Sequence, residues 1–214
     1  MIDIYYDDRY HLICQEAKHM ARRTAAEKAD THAEIVRQAA KLFLERGSGV
    51  GIADVMEDAG LTHGGFYRHF ENKDDLIVEA VSLSLQELSA RLARAAENAK
   101  KGHELEAIIN AYLSPEHLAH PESWCALAAL SGDLGRLPAR ARKRLDNVLA
   151  QYMERLIGYM PGSSVEEKRR NFIVLISGMA GAIAMLRAFG DKATRESALS
   201  TVREYYVSTF RNAG

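Results

Sequence analysis

The sequence predicts an all-α chain of about nine helices, and three observations carry that prediction. Apolar residues recur at helical spacing along most of the chain, whereas β-branched residues rarely alternate with polar ones. Only four prolines occur, at 115, 121, 138 and 161, all after residue 114. The breaks at Gly47, Gly60, Ser114-Pro115, His120-Pro121, Leu137-Pro138, Pro161-Gly162 and Gly190 fall between periodic segments, not inside them. No strand pattern, internal repeat or low-complexity tract interrupts this order.

Residues 1–30 read as an N-terminal extension or arm. Met20 opens MARRTAAEKADTHAEIV, which resembles a start followed by a polar arm. The piece before it is either a true extension, with Tyr10, Ile13, Cys14 and Ala17 on a short helix, or a misassigned start. Glu34–Arg46 carries a wide apolar face of Ile35, Val36, Ala39, Ala40, Leu42, Phe43 and Leu44, and Gly47 stops it. Ile52–Ala59 is a second, short helix with Val55, Met56 and Ala59 inward, closed by Gly60. Thr62 suits the N-cap of a third, brief helix through Phe70. Asn72 caps a fourth, whose first turn holds Asp74 and Asp75 where negative charge suits the helix dipole. It extends to about Ala99 on Leu76, Ile77, Ala80, Val81, Leu83, Leu88 and Leu92. Further helices are expected near 103–114, 121–134, 138–160, 165–188 and 192–212. The three short helices mark one unit, 31–78, and the longer ones a second, 79–214.

Composition narrows the function. The formal net charge is −1, so any contact with nucleic acid must come from a local patch. Two cysteines, Cys14 and Cys125, make no disulfide framework and no CxxC, which points to a reducing cytoplasm. The opening MIDIYYDDRYHL is acidic where a signal peptide is basic and then apolar. The most apolar stretch, Phe172 to Leu186, is shorter than the ~20 residues of a membrane helix. Arg169, Arg170 and Arg187 bracket it, so it reads as a helix buried in protein, with no membrane partner. The histidines form no HExxH, and no GxSxG, Walker loop or GxGxxG occurs, so neither catalysis nor a cofactor is expected. His117 and His120 stand three apart, but the loop setting beside Pro121 makes them a poor metal pair, and no metal is expected.

The stretch GLTHGGFYRHFENKDDL, Gly60 to Leu76, is unusual. Two glycines open a very short helix that also holds Phe66, Tyr67, Arg68, His69 and Phe70. Such a helix buries little and propagates poorly. Placed third in a set of short helices, it fits the second member of a helix-turn-helix, whose N-terminal residues face the bases of a DNA major groove. Gly64 and Gly65 then let the backbone approach the duplex, and His63 can meet a base edge. Phe66 and Phe70, four apart, share the face that anchors the helix. Tyr67, Arg68 and His69 point elsewhere, toward phosphates or bases. Lys73 sits at the next helix start, where free N–H groups also attract phosphate.

EIVRQAAKLFLERG and IADVMEDAGLTHGGFYRHFENKDDLIVEAV, about Glu34 to Val81, strongly resemble the DNA-binding domain of the tetracycline-repressor (TetR) family of bacterial regulators. The pattern A-G-[VLI]-[ST]-x-G-x-[LFI]-Y-x-[HY]-F-x-[NS]-K-x-x-L is met almost position by position, over roughly a quarter of the chain. The remainder is similar only in architecture. The resemblance implies base contacts from His63, Gly64, Gly65 and Arg68, and phosphate contacts from Thr62, Tyr67, His69 and Lys73. It also implies double-stranded operator DNA as partner and repression relieved by a small-molecule effector. The chain departs from the family at the start of its second helix, where Val50, Gly51 and Ala53 replace the usual hydroxyl and guanidinium groups. Arg22 and Arg23 of the arm are candidates to compensate. A helical adaptor without DNA binding is the alternative these departures leave open.

Specific reading of DNA calls for two copies on paired half-sites. The last two helices are the expected dimer surface, with Phe172, Leu175, Met179, Ile183, Val202 and Tyr206 at the contact. Ser177, Gly178, Ala180, Gly181, Ala182 and Ala184 are small enough for close helix approach. Filling one subunit's core is the other reading of the same residues. An effector cavity is expected between helices of the 103–188 region, lined by Tyr112, Trp124, Cys125, Tyr152, Met153, Tyr159 and Met179. Cys125 stands near a helix N-terminus, where a lowered thiol pKa would suit an electrophile sensor; the alternative is a small buried apolar residue. The fourth helix joins reader to cavity, and a ligand that shifts it would change DNA affinity by a coupling of about 1–3 kcal/mol.

Overall fold

The computed structural model describes residues 5–120 and 125–211, with side chains over 24–120 and 125–210. Its first helix, α1, runs unbroken from Tyr5 to Arg46. The arm expected before residue 31 is therefore helical and continuous with the first core helix. The run TAAEKADTHAE contains no glycine or proline and is rich in good helix formers, so nothing stops the helix there. Arg22 and Arg23 thus lie on a helix and not on an extended arm, and their side chains fall outside the described ones.

Three more elements build the N-terminal unit and its exit. Gly47 ends α1 with a φ of +83°, and its N–H reaches Phe43 O at 2.9 Å. Helix α2 covers Ile52–Asp58. Gly60, at φ +71°, then turns the chain: its N–H bonds Glu57 O at 2.9 Å and that of Leu61 bonds Met56 O at 2.8 Å. This paired pattern is a Schellman end, which needs the left-handed conformation glycine adopts freely. The next segment, His63–Arg68, is a 3-10 helix and not the α-helix expected. Two glycines and a length of six residues favour the shorter repeat. Helix α3, Lys73–Glu97, starts where Asn72 Oδ1 accepts the Asp75 N–H at 3.0 Å.

The remaining α-helices are α4 (Glu104–Tyr112), α5 (Pro115–Ala119), α6 (Ala126–Leu134), α7 (Ala139–Leu156), α8 (Val165–Leu186) and α9 (Lys192–Arg211). Ser114-Pro115, read from sequence as a break, starts α5. Ser114 Oγ accepts the His117 N–H at 3.0 Å and proline occupies the first turn, where its missing N–H costs nothing. The helix expected over 121–134 begins at Ala126, with Cys125 as its N-cap; Trp124 and the rest of 121–124 lie outside the described residues. Among the described residues there is no strand.

Helix α3 is the axis of the molecule: it packs against α1, α4, α6 and α7. Its Leu76, Leu85 and Leu92 are fully buried with Ile35 and Phe43 of α1 and Ile108 of α4. Helix α8 packs against α6, α7 and α9. By length and composition alone it would pass for a membrane span, but Phe172, Leu175, Ile176, Met179, Ile183 and Leu186 are buried within the body.

That burial corrects the expected dimer contact. Phe172, Leu175, Met179 and Ile183 are closed off inside one chain, and Val202 and Tyr206 are half-buried against the same core. The outward stripe of α8 is a different one: Ile173, Val174, Ser177, Gly181, Ala184 and Met185. Gly178, expected to bring subunits together, faces Tyr206 of the same chain so closely that a Cβ would collide with its ring. Gly178→Ala should therefore destabilise the α8–α9 contact by about 1–3 kcal/mol, the usual cost of overpacking. Urea unfolding measures it; an unchanged midpoint would mean that Tyr206 swings aside freely.

Candidate nucleic-acid interface

The turn after α2 delivers the 3-10 segment edge-on to solvent. Thr62, His63, Gly64, Tyr67 and Arg68 are exposed in a row, with Tyr67 63% accessible. Under them lie Phe66 and Phe70, both buried, their rings stacked at 5.3 Å. The two rings hold a helix that its own backbone bonds would not. Helix propensity and anchoring thus come from different residues, and the outer face is left for a partner.

The two glycines differ. A Cβ on Gly64 would meet nothing within 4 Å, so its bare backbone answers no need of the fold. One on Gly65 would touch Met56 Cε at 3.5 Å, an ordinary packing contact. Lys73 is half-buried at the start of α3, its Nζ 6.0 Å above the Phe43 ring. His69 is half-buried as well, its Nδ1 enclosed without a hydrogen-bond partner. Burial lowers its pKa, and the nearby charges of His32, Lys28 and Arg68 push the same way, so it stays neutral near pH 7. Of the residues expected to touch DNA, then, Thr62, His63, Gly64, Tyr67 and Arg68 are exposed, and Gly65, His69 and Lys73 are half-buried.

At the start of α2, positions 50–54 carry no hydroxyl or cation. Gly51 is the N-cap, and its N–H donates to Asp54 Oδ2 at 3.0 Å. Ala53 is exposed.

Several residues that hold the reader were not found from sequence. His32 of α1 meets Glu79 Oε2 of α3 at 2.6 Å and stacks on Phe70 at 4.5 Å. Arg144 of α7 ion-pairs with the buried Asp75 and reaches Glu79 at 3.6 Å. Arg140 donates to Glu71 at 3.0 Å, and the Ser48 N–H donates to Asp133 Oδ2 of α6 at 3.2 Å. These partners are 38 to 85 residues apart, and no local pattern marks them.

In the body, the expected cavity residues Tyr112, Cys125 and Tyr152 do come together, fully enclosed. Met179 is buried and Met153 half-buried against the same core. The Tyr112 and Tyr152 hydroxyls are buried with no hydrogen-bonding nitrogen or oxygen. His117 Nδ1 donates to Tyr112 O at 2.6 Å, which removes it as a metal ligand through that nitrogen. Burial pushes the Cys125 thiol up despite its place at the N-terminus of α6, overriding nearby helix N–H groups. The expected low-pKa thiolate is thus replaced by a protonated, enclosed thiol. Tyr159 sits elsewhere. It lines a half-open cavity of about 400 Å³ with Leu105, Ile109, Met160, Val207 and Phe210.

The comparisons with known proteins agree with this geometry. Residues 35–80 match the family described as bacterial regulatory proteins, tetR family. The chain is 44% identical over 80 residues to the HTH-type transcriptional regulator TtgR of Pseudomonas putida, a match covering 37% of this chain and 38% of that one. It is 36% identical over 77 residues to the HTH-type transcriptional repressor BepR of Brucella suis, covering 34% of this chain and 37% of that one. These matches thus span less than half the length of either relative. The fold is shared more widely: the crystal structure of a TetR transcriptional regulator from Chloroflexus aurantiacus superimposes with a TM-score of 0.64 at 23% identity, covering 85% of this chain and 96% of that one. Residues 35–80 thus match the tetR family of bacterial regulatory proteins in sequence, and the helical body matches the fold of a solved TetR regulator.

Proposed function

We propose that the chain is a ligand-responsive DNA-binding transcriptional regulator, a cytoplasmic repressor that a small molecule releases from double-stranded operator DNA. The observation that carries this is the open edge of Thr62, His63, Gly64, Tyr67 and Arg68, set on a 3-10 segment anchored by two buried phenylalanines. Residues 31–78 are the reader and 79–214 the effector-binding and dimerising body. The relative named a repressor supports the sign.

The active form is a homodimer through α8 and α9. Its contact is the outward stripe of α8, where Ile173, Val174 and Met185 are each more than half exposed, together with Tyr205 of α9. The effector enters the body around Tyr112, Cys125 and Tyr152, whose two enclosed hydroxyls offer neutral donors to a largely apolar ligand. Ligand binding there moves α3, which carries Lys73 at one end and packs on α4 and α7 along its length.

The test is selection of bound duplexes from random DNA, followed by fluorescence anisotropy on the winner and on a scrambled duplex at two salt concentrations. Tyr67→Phe and Lys73→Ala should weaken binding to both duplexes. Lys73→Ala should also lower the salt slope by about 0.9 for the phosphate no longer neutralised, whereas Tyr67→Phe removes a neutral hydroxyl and should leave the slope unchanged. His63→Ala should instead alter base preference. Gly64→Ala should leave the melting temperature unchanged, because its methyl meets open space, and still lower affinity by crowding the duplex. Equal loss on every sequence for all four variants would contradict this division of roles. Absence of any salt-sensitive duplex binding would favour an adaptor.

A further inference from the structure

We propose that the α6–α7 loop and the first turn of α7 form a second phosphate-binding surface, which touches the duplex backbone outside the groove read by the 3-10 segment. The proposal rests on the DNA-binding reading above. In the run RLPARARKR, Arg136, Arg140, Arg142, Lys143 and Arg144 fall within nine residues of a chain whose net charge is −1. No acidic residue sits in the first turn of α7 to offset them.

The structure fastens this run to the base of the reader at both ends. Just before it, Asp133 accepts the Ser48 N–H in the loop that leads into α2. Within it, Arg140 bonds Glu71 at 3.0 Å, two residues before Lys73, and Arg144 pairs with Asp75. Farther along, Arg155 reaches Ser89 at 3.4 Å, so α7 runs parallel to α3 and its N-terminal end is the one beside the reader. The positive end of the helix dipole points the same way.

Within the run the cations divide. Arg140 and Arg144 are used in holding the two units together. Arg142 and Lys143 are exposed and meet no carboxylate among the described residues. Arg136 donates to Gly132 O at 3.2 Å and approaches Asp133 only to 3.7 Å, with its side chain 80% exposed. These three add little to the fold, since exposed or loosely paired charges contribute about 0–1 kcal/mol. Asp133, three residues before Arg136, is bonded to Ser48 in the loop that leads to Val50, Gly51 and Ala53, where the reader carries no cations of its own. Phosphate recognition by long basic side chains needs no fixed geometry, so a flexible exposed group of this kind suits it.

The test uses the full chain, the selected duplex, and the same duplex extended by about six base pairs at each end. Anisotropy is measured across a salt series, since the slope of log K on log[salt] changes by ~0.9 for each phosphate contact. R136A/R142A/K143A should bind the extended duplex roughly tenfold or more weakly at about 100 mM salt, with the slope reduced by about 2–3 per protomer. Its base preference and melting temperature should match those of the parent. R142K/K143R should keep the parental slope, because charge alone is required. In the parent, the extended duplex should bind more tightly than the short one; in the triple variant that advantage should vanish. An unchanged slope, or a flank advantage that persists in the triple variant, overturns the proposal while leaving the reader intact. If the parent protein binds no duplex at all, the DNA-binding reading fails and this surface fails with it.

Discussion

Phe66→Ala is expected to abolish duplex binding and to cost about 3–5 kcal/mol of stability, the usual range for emptying a buried phenylalanine site. Phe66 is completely enclosed, stacks on Phe70 at 5.3 Å and meets the Tyr67 ring edge-on at 5.2 Å. The segment it belongs to has six residues and two glycines in a 3-10 helix, so its own backbone bonds hold it weakly. Removing the ring deletes the main force that orients Thr62, His63 and Tyr67. Phe70 does not replace it, because that ring is already shared with His32 at 4.5 Å. Urea unfolding reports the stability loss, hydrogen exchange at residues 63–70 reports the loosened segment, and anisotropy reports the fall in affinity. Phe66→Leu keeps most of the apolar volume and should retain the fold with reduced affinity, so the claim survives a case in which the alanine variant fails to fold. DNA binding undiminished in both variants would show that the backbone holds the reader without the ring.

Val174→Glu combined with Met185→Glu should convert the proposed dimer to a monomer, read by light scattering. Both side chains are more than half exposed on the outward stripe of α8, so charge there costs the single chain little. In a two-fold contact each new carboxylate would be buried near its symmetry mate, and stripping water from unpaired charges costs several kcal/mol. The variant should keep its helix content and lose tight, two-half-site DNA binding. Phe172→Ala is the contrasting control. Phe172 is buried against Tyr152, ring to ring at 5.7 Å, so its loss should lower stability before it alters association. A dimer that persists in the double glutamate variant would place the interface on another face.

What sequence alone determined is the part of this protein governed by short-range chemistry. Asn72 ahead of Asp74 and Asp75 marked the start of α3, and Gly47 and Gly60 marked helix ends, because caps and left-handed turns are set by residues within four positions. The open edge from Thr62 to Arg68 was legible for the same reason: helical spacing separates Phe66 and Phe70 from the residues between them. Elsewhere local rules met competition. Ser114-Pro115 is as good a start as a stop, and α1 continues through a polar stretch because polar residues there are still good helix formers.

Tertiary structure alone decided which apolar side of α8 turns inward, because a helix apolar nearly all round carries no internal signal of its buried face. It also decided the state of Cys125, where desolvation by distant helices outweighs the local helix N-terminus. The ties that seat the reader on the body, Ser48 to Asp133, Glu71 to Arg140 and Asp75 to Arg144, join residues 69 or 85 positions apart. Charge complementarity at such separation leaves no periodicity in the chain, and appears only once α3 and α7 lie side by side.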